Sequence, residues 1–223
     1  DMLAQCLEAL QKTVPEAKIV VVNNGESDSL DDVKAVYTNI KVYDVGQNLG
    51  FAGAYKFLED KIETPLILML NDDVVAIHPQ WMEVMLYEFN DSKVGVVGAK
   101  LLFPDGNLQH AGGMLDWNKE EMGYHYLYGS PDRIEANQKR DCDFVTGACL
   151  MARRELFHIS DYLLEGLNFE DTELCLEARQ KGYRVIYQPA ATLLHYEGRT
   201  KVRLPESEGR VKLNRQRFRE KWL

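Results

Sequence analysis

The run Leu66-Ile67-Leu68-Met69-Leu70-Asn71-Asp72-Asp73-Val74 passes from five consecutive apolar residues straight into three polar ones, two of them acidic. A short apolar run bounded by polar residues predicts a buried strand. Acidic side chains at the carboxyl end of such a strand sit where open α/β sheets bind ligands. Asp72 and Asp73 repel one another, and their desolvation is costly unless a cation or hydrogen bonds offset the charge. A hard divalent ion bound to a diphosphate meets that need, because Mg²⁺ favours one or two carboxylates together with phosphate oxygens. The alternative is a cap for the helical segment after Pro79, for which both residues lie several positions early.

Upstream, apolar residues at positions 3, 6, 7 and 10 predict a helix over Asp1–Leu10 with Asp1 as N-cap. Lys18-Ile19-Val20-Val21-Val22 predicts a buried strand ending in the turn Asn23-Asn24-Gly25. Helix over 29–36, strand over 40–45 and helix over 50–61 follow. Strands alternating with helices imply right-handed crossovers and a mostly parallel sheet covered on both faces. Downstream, the pattern predicts a helix over 81–89 and a strand over 94–99, then glycine-rich stretches near Gly106 and Gly112-Gly113. Residues 116–140 lack a period and read as a long loop. Its Trp117, Tyr124, Tyr126 and Tyr128 either stack on the face of a ligand ring or pack as an aromatic lid. A strand over 144–152, a helix over 172–181 closed by Gly182, and a strand over 183–187 ending at Pro189 complete the expectation.

The 223 residues are 45% hydrophobic and 27% charged, an ordinary globular composition that excludes a disordered or collagen-like chain. A net charge of −9 argues against a general nucleic-acid binder. The longest apolar stretch, Pro65–Leu70, falls far short of the ~20 residues of a membrane span, and no leader-peptide pattern opens the sequence. Cys6, Cys142, Cys149 and Cys175 show no paired spacing and read as free thiols of a reducing, cytoplasmic compartment. From Arg199 onward the net charge is +6, against −15 for the rest. That segment is either a solvated terminal helix or a basic flank for an anionic lipid or phosphorylated acceptor.

Two further features carry chemistry. In Asn168-Phe169-Glu170-Asp171-Thr172-Glu173-Leu174, either Asp171 or Thr172 caps the next helix, or a carboxylate at the helix start faces a cleft as a general base. His195 follows Thr192-Leu193-Leu194 and is either structural or a nitrogen ligand meeting Asp73 across the sheet.

In this order the pieces resemble the family 2 glycosyltransferases of GT-A fold, particularly rhamnosyltransferase-like members. Val21-Val22-Asn23-Asn24-Gly25-Glu26-Ser27-Asp28 is similar to the turn that holds the nucleoside, and Asn48-Leu49-Gly50-Phe51-Ala52-Gly53 to the segment beside the donor. Leu70–Asp73 stands at the DxD position; Gln109–Gly113 and Thr146–Leu150 are similar to the donor-sugar loops. Phe169–Leu176 resembles the acidic motif with the catalytic base, and His195 the late histidine on the metal side. The resemblance implies an inverting transfer of a sugar from a nucleotide-diphosphate donor to a glycan or lipid-linked acceptor hydroxyl, in cell-surface polysaccharide or glycan synthesis. It implies Asp171 as base with Glu170 beside it, and Mg²⁺ or Mn²⁺ on Asp73 and His195. Asn23, Asn24, Asp28, Asn48, Gly50, Phe51, Gly53, Asn71, Asp72, Thr146, Gly147 and Ala148 would hold the donor. Residues 1–103 form the nucleotide-binding half of a 1–198 domain, 104–198 the acceptor half, and 199–223 a basic helical segment available for peripheral membrane contact.

The sequence departs from the family pattern in places. Asn71 stands at the first DxD position, Asn23 replaces the usual Asp, and Glu26 the usual Ser. The family's leading strand and its turn are not seen before the helix at 1–10, which predicts an excised domain of a longer enzyme. Two other functions share such a sheet. A nucleotidyltransferase wants a glycine-rich basic phosphate loop near its N-terminus, which this sequence does not show. A truncated or degenerate sugar-nucleotide-binding module fits the missing strand but not the joint presence of Asp73, Asp171 and His195.

Overall fold

The computed structural model describes residues 2–25, 30–37, 39–126, 129–197 and 206–223, those at 206 and 207 without their side chains. Asp1, Glu26, Ser27, Asp28, Tyr128, Arg199, Lys201 and Arg203 lie outside the described residues. Helix α1 (Met2–Thr13) buries Cys6, Leu7 and Leu10, the face expected from their spacing. Strand β1 (Ile19–Asn23), helix α2 (Asp31–Val36), strand β2 (Ile40–Asp44) and helix α3 (Gly50–Leu58) follow. β1 and β2 pair in parallel, Ile19 opposite Ile40, as a separate two-stranded sheet. Gly50 opens α3 at φ +70°, a left-handed conformation that glycine adopts without steric cost.

The second half is built on β3 (Leu66–Leu70), β4 (Val74–Ala76), α4 (Trp81–Glu88), β5 (Val94–Leu102), β6 (Leu108–His110), β7 (Gly113–Leu115), β8 (Gly123–His125), β9 (Arg140–Asp141), β10 (Cys149–Arg153), α5 (Glu170–Gln180), β11 (Arg184–His195) and α6 (Glu206–Trp222). Its seven-stranded sheet runs β3-β10-β5-β11-β4, with β6 on β5 and β9 on β11. The α/β class is as expected, but this sheet is mixed. β10 is antiparallel to both β3 and β5, whereas β11 is parallel to β5 and antiparallel to β4. The reason is the connection from β5 to β10, which runs through short strands and a 3₁₀ turn (Ile134–Asn137) instead of a crossover helix.

Other boundaries move for local reasons. The expected strand over 144–152 begins only at Cys149, since 144–148 forms a loop against the neighbouring hairpin. The strand expected to end at Pro189 continues to His195. Its ladder slips between Gln188 and Thr192, a bulge in which a proline without an N–H costs no pairing. The stretch 116–140 is not a plain loop: β8 closes a hairpin on β7, Gly113 opposite His125, and β9 joins β11. Helix α5 starts at Glu170, with Phe169 as a left-handed N-cap and no side-chain cap, so neither Asp171 nor Thr172 caps it. Asp72 and Asp73 cap nothing either, because β4 intervenes and Gln80 is the N-cap of α4.

Helix α6 docks through Phe218, packed with Met122 and Leu176, and stacks Phe218 on Trp117 at 6.0 Å and 12°. Trp117 is therefore partly buried against this cluster, while Tyr124 and Tyr126 are exposed beneath Lys119 and Arg140. The basic side chains of α6 turn inward: Arg215 onto Glu120 and Glu121, Arg217 onto Glu165, Lys221 onto Glu173 and Glu177. Among the described residues no helix is long and apolar enough to cross a membrane.

Candidate active site

β3 delivers Asn71–Asp73 at its carboxyl end, and β4 turns back so that His195, the last residue of β11, lies opposite Val74. Asp73 and His195 are both buried, with His195 Nε2 3.2 Å from Asp73 Oδ1. The network beyond them fixes the tautomer. Gln109 Nε2 donates to Glu197 Oε2 at 3.1 Å, which turns Gln109 Oε1 towards His195 Nδ1 at 2.7 Å. An amide oxygen only accepts, so Nδ1 carries a proton and His195 turns its Nε2 to the carboxylate. Two electron-rich atoms face each other in a buried place unless a proton or a cation joins them. The pair thus fits a divalent ion with one oxygen and one nitrogen ligand, its imidazole oriented from behind. Among the described residues no group of three or more His, Cys, Asp or Glu is placed to hold an ion. Asp72, beside it, has its carboxyl held above the ordinary range by partial burial and then by the Asp73 charge.

The loop before β10 joins this pole to the other. Register pairs Cys149 with Leu70, and Asn71 N–H donates to Ala148 O at 3.1 Å. One residue back, Gly147 N–H donates to Asp171 Oδ2 at 2.8 Å. Asp171 Oδ1 accepts from Thr172 N–H at 2.6 Å. Gly147 is wedged between Asp171 and Phe51: a Cβ there would lie 3.3 Å from each. Glu170 is buried with no hydrogen-bond partner for its Oε2 among the described residues, and burial, then the Asp171 charge, pushes its carboxyl up to about 7.

Between the poles lie two further histidines. His110 and His125 meet Nδ1 to Nδ1 at 2.6 Å, and Thr146 N–H reaches His110 Nε2 at 3.4 Å. Burial, together with His125 and His195, holds His110 well below the ordinary range and therefore neutral. His125 is also lowered by burial, against the opposing charges of Asp171 and Glu197. Both carboxylates thus act on one imidazole.

The residues expected on the nucleoside side are engaged differently. Asn24 Oδ1 accepts from Leu49 N–H at 2.8 Å and its Nδ2 donates to Gly50 O at 3.0 Å; Asn48 Oδ1 accepts from Gly50 N–H at 2.8 Å. Asn23 Nδ2 donates to Asp44 Oδ1 at 2.9 Å. These amides tie the end of β1 to the start of α3, where Phe51 packs on Tyr55 at 4.8 Å. A Cβ at Gly53 would meet Leu49 at 2.8 Å, so that glycine serves the turn. Asp28 lies outside the described residues.

A family model described as glycosyltransferase like family 2 matches residues 1–221. The chain belongs to this family. It is 29% identical over 212 residues to the uncharacterized protein y4gI of Sinorhizobium fredii, covering 89% of this chain and 23% of that protein. It is 31% identical over 156 residues to the O-antigen biosynthesis protein RfbC of Myxococcus xanthus, covering 64% of this chain and 12% of that one. The chain thus spans less than a quarter of the length of these curated relatives. Among solved structures it resembles GalNAc-T7 with UDP, GalNAc and Mn²⁺ (TM-score 0.72, 15% identity, 92% of this chain and 42% of that one). It also resembles the mannosyltransferase PcManGT of Pyrobaculum calidifontis with GDP-Man and Mn²⁺ (TM-score 0.64, 12% identity, 89% and 54%). The GT-A fold expected for a glycosyltransferase-like family 2 chain is what these neighbours share with it.

For this family 2 chain, sequence reasoning missed His125 and Glu197, and read Gln109 and His110 only as part of a loop. Gln109 sits next to a histidine and three residues before a glycine pair, which marks a loop, but its partner lies 86 positions away. No spacing rule reaches that far.

Proposed function

We propose that this domain is an inverting, divalent-cation-dependent glycosyltransferase that moves a sugar from a nucleotide-diphosphate donor to a glycan or lipid-linked acceptor hydroxyl in polysaccharide synthesis. The observation that carries the reading is the buried Asp73–His195 pair, whose facing oxygen and nitrogen at 3.2 Å need a cation or a proton between them. Support comes from the Mn²⁺ and nucleotides bound in GalNAc-T7 and PcManGT, and from the O-antigen role in the name of RfbC.

Asp73 and His195 would hold Mg²⁺ or Mn²⁺, which when bound neutralises charge developing on the leaving diphosphate. Asn71, Asp72 and the loop Thr146-Gly147-Ala148 border the donor sugar, and Asn23, Asn24, Asp28, Asn48, Gly50, Phe51 and Gly53 shape the nucleoside side. Asp171, held by the Gly147 and Thr172 amides, takes the acceptor proton as the hydroxyl attacks opposite the leaving group. Glu170, with its carboxyl near 7 and one oxygen without a hydrogen-bond partner among the described residues, orients that hydroxyl. The acidic chain and its free cysteines favour a cytoplasmic site of action without nucleic-acid partners. Membrane contact would rest on the basic residues of α6 that are not drawn inward.

Calorimetry with UDP- and GDP-sugars, with and without Mn²⁺, tests the reading. Binding should require Mn²⁺ in the parent chain and vanish in Asp73→Ala. Equal affinity with and without the ion in both proteins would overturn it.

A further inference from the structure

Two consecutive non-glycine residues, Asn168 at φ 66° and Phe169 at φ 78°, adopt the left-handed region immediately before Glu170 and Asp171. Side chains rarely accept that conformation, and it persists only where the surroundings impose it. Helix α5 offers no help of its own, since its N-cap makes no side-chain hydrogen bond. What imposes it is α6. Asn214, fully buried, donates from Nδ2 to Leu163 O at 3.2 Å and to Asn168 O at 3.1 Å. Gly166 lets it approach: a Cβ there would lie 1.9 Å from Asn214 Oδ1. One helical turn on, Phe218 packs against Phe169 with ring centroids 4.8 Å apart. At the other end Arg210 donates to Glu165 O and Gly166 O, each at 3.2 Å, and Leu167 N–H returns a bond to Arg210 O at 3.3 Å. Lys221 closes the contact on Glu173, one turn after Glu170.

We propose that α6 is a clamp on the left-handed turn that presents Asp171, with Asn214 as its positioning residue. The role for turnover rests on Asp171 being the base, as proposed above; the clamp itself does not. Asn214 touches no substrate. It satisfies the Asn168 carbonyl and adds a second donor to Leu163 O, which already accepts from Gly166 N–H at 3.3 Å, and so sets the direction in which α5 starts and the place of Asp171 against Gly147. Lys221, on Glu173 and Glu177, then binds the end of α6 onto the acidic helix it positions.

The test is Asn214→Asp in the full chain, which keeps the shape but removes both donors and faces a carboxylate with two carbonyls. Hydrogen exchange should accelerate about tenfold or more over 166–173 and at Gly147, while β5 and β11 keep their protection. With a donor that the parent chain uses, turnover should fall about tenfold and the donor KM should stay within about twofold, as for a displaced catalytic group. Adding Asn168→Gly, which removes the cost of the left-handed conformation, should restore most of the turnover and protection. Should Asn214→Asp not fold, Arg210→Met loosens the half-buried end of the same contact and must give the same local exchange pattern. Unchanged exchange at 166–173, loss of protection spread evenly through β5 and β11, or no rescue by Asn168→Gly would each overturn the clamp. If the parent chain transfers no sugar, the functional reading fails alone, and the exchange pattern still decides this one.

Discussion

The two sheets hold their shares of the site by different means. All five residues of β1 are half-buried, whereas eight of the nine in β5 are buried. In the two-stranded part, geometry comes from side-chain amides: Asn23, Asn24 and Asn48 are spent on backbone or side-chain partners at the surface. In the seven-stranded part it comes from packing, and the ionisable groups Asp73, His195, His110 and Glu170 are buried with it. Charge placed in a low-dielectric sheet interacts strongly and must be placed accurately, which packing ensures. A loop that recognises a base by shape and backbone needs less. The contrast predicts that changes in the deep part alter turnover, and that changes in the shallow part alter binding.

The sharpest break would come from Asp171→Asn. If Asp171 is the base proposed above, turnover should drop by ~10²–10⁴, the usual share of a general base, with nucleotide affinity unchanged in calorimetry. A comparable loss from Asn48→Ala would erase the contrast. Next is Glu170→Gln. In the folded chain the Glu170 carboxyl titrates near 7 instead of 4.5, so the native state keeps a proton that the unfolded state has released in that window. The contribution of Glu170 to stability is then greatest below about 4.5 and declines as pH rises to about 7, by an amount on the order of 3 kcal/mol. Gln cannot ionise. The variant should melt at about the parent temperature near pH 4.5 and well above it at pH 8; parallel pH profiles would show that Glu170 is not buried as a carboxylic acid.

A matched pair of glycines sharpens the same comparison. A Cβ at Gly98, in β5, would lie 2.3 Å from the Cβ of fully buried Val145, whose neighbours are the Thr146–Ala148 loop. Gly98→Ala should therefore cost about 1–3 kcal/mol by overpacking and lower turnover through the displaced loop. Gly46, in the shallow part, has nothing within 4 Å of such an atom but sits at φ +72°. Gly46→Ala should cost about 1 kcal/mol through backbone strain alone and leave turnover intact. Chemical denaturation and steady-state kinetics on both variants would separate the two mechanisms.

The same division governs what the sequence made legible. Leu66–Leu70 forms the strand its apolar run predicts, with the same ends, and His195 lies against Asp73 across the sheet, one of the two readings its position left open. Those features are written in local pattern and in motif. The β7–β8 hairpin was not, because strands of three residues carry too little alternation to register. His125 was lost with it. The passage of β11 through Pro189 was hidden because a proline normally ends a strand, and only a partner strand shows that the residue falls in a bulge. The start of α5 was misread because Asp171 and Thr172 are good caps by composition. The cap position belongs instead to Phe169, held left-handed by a helix 45 residues further on in sequence. What was missed is in each case a consequence of non-local contact.

The smallest expected effect tests the shallow part itself. Asn24 makes two good hydrogen bonds, to Leu49 N–H and Gly50 O, and a long one to Asn48 Oδ1 at 3.4 Å. In a dry core their loss would strand buried polar groups, but Asn24 is half-buried and water can replace the side chain. Asn24→Ala should therefore cost only about 1 kcal/mol of stability. The loop at 48–50 would lose its tether to β1, and with it the preformed start of α3 at Gly50. If that loop only binds nucleotide, the lost order is lost equally from ground state and transition state. The donor KM should then rise several-fold while kcat stays constant, the signature of uniform binding. A fall in kcat without a change in KM would mean that Phe51, which follows this tether and packs on Gly147, transmits the shallow sheet's geometry to Asp171. The two parts of the molecule would then act as one device.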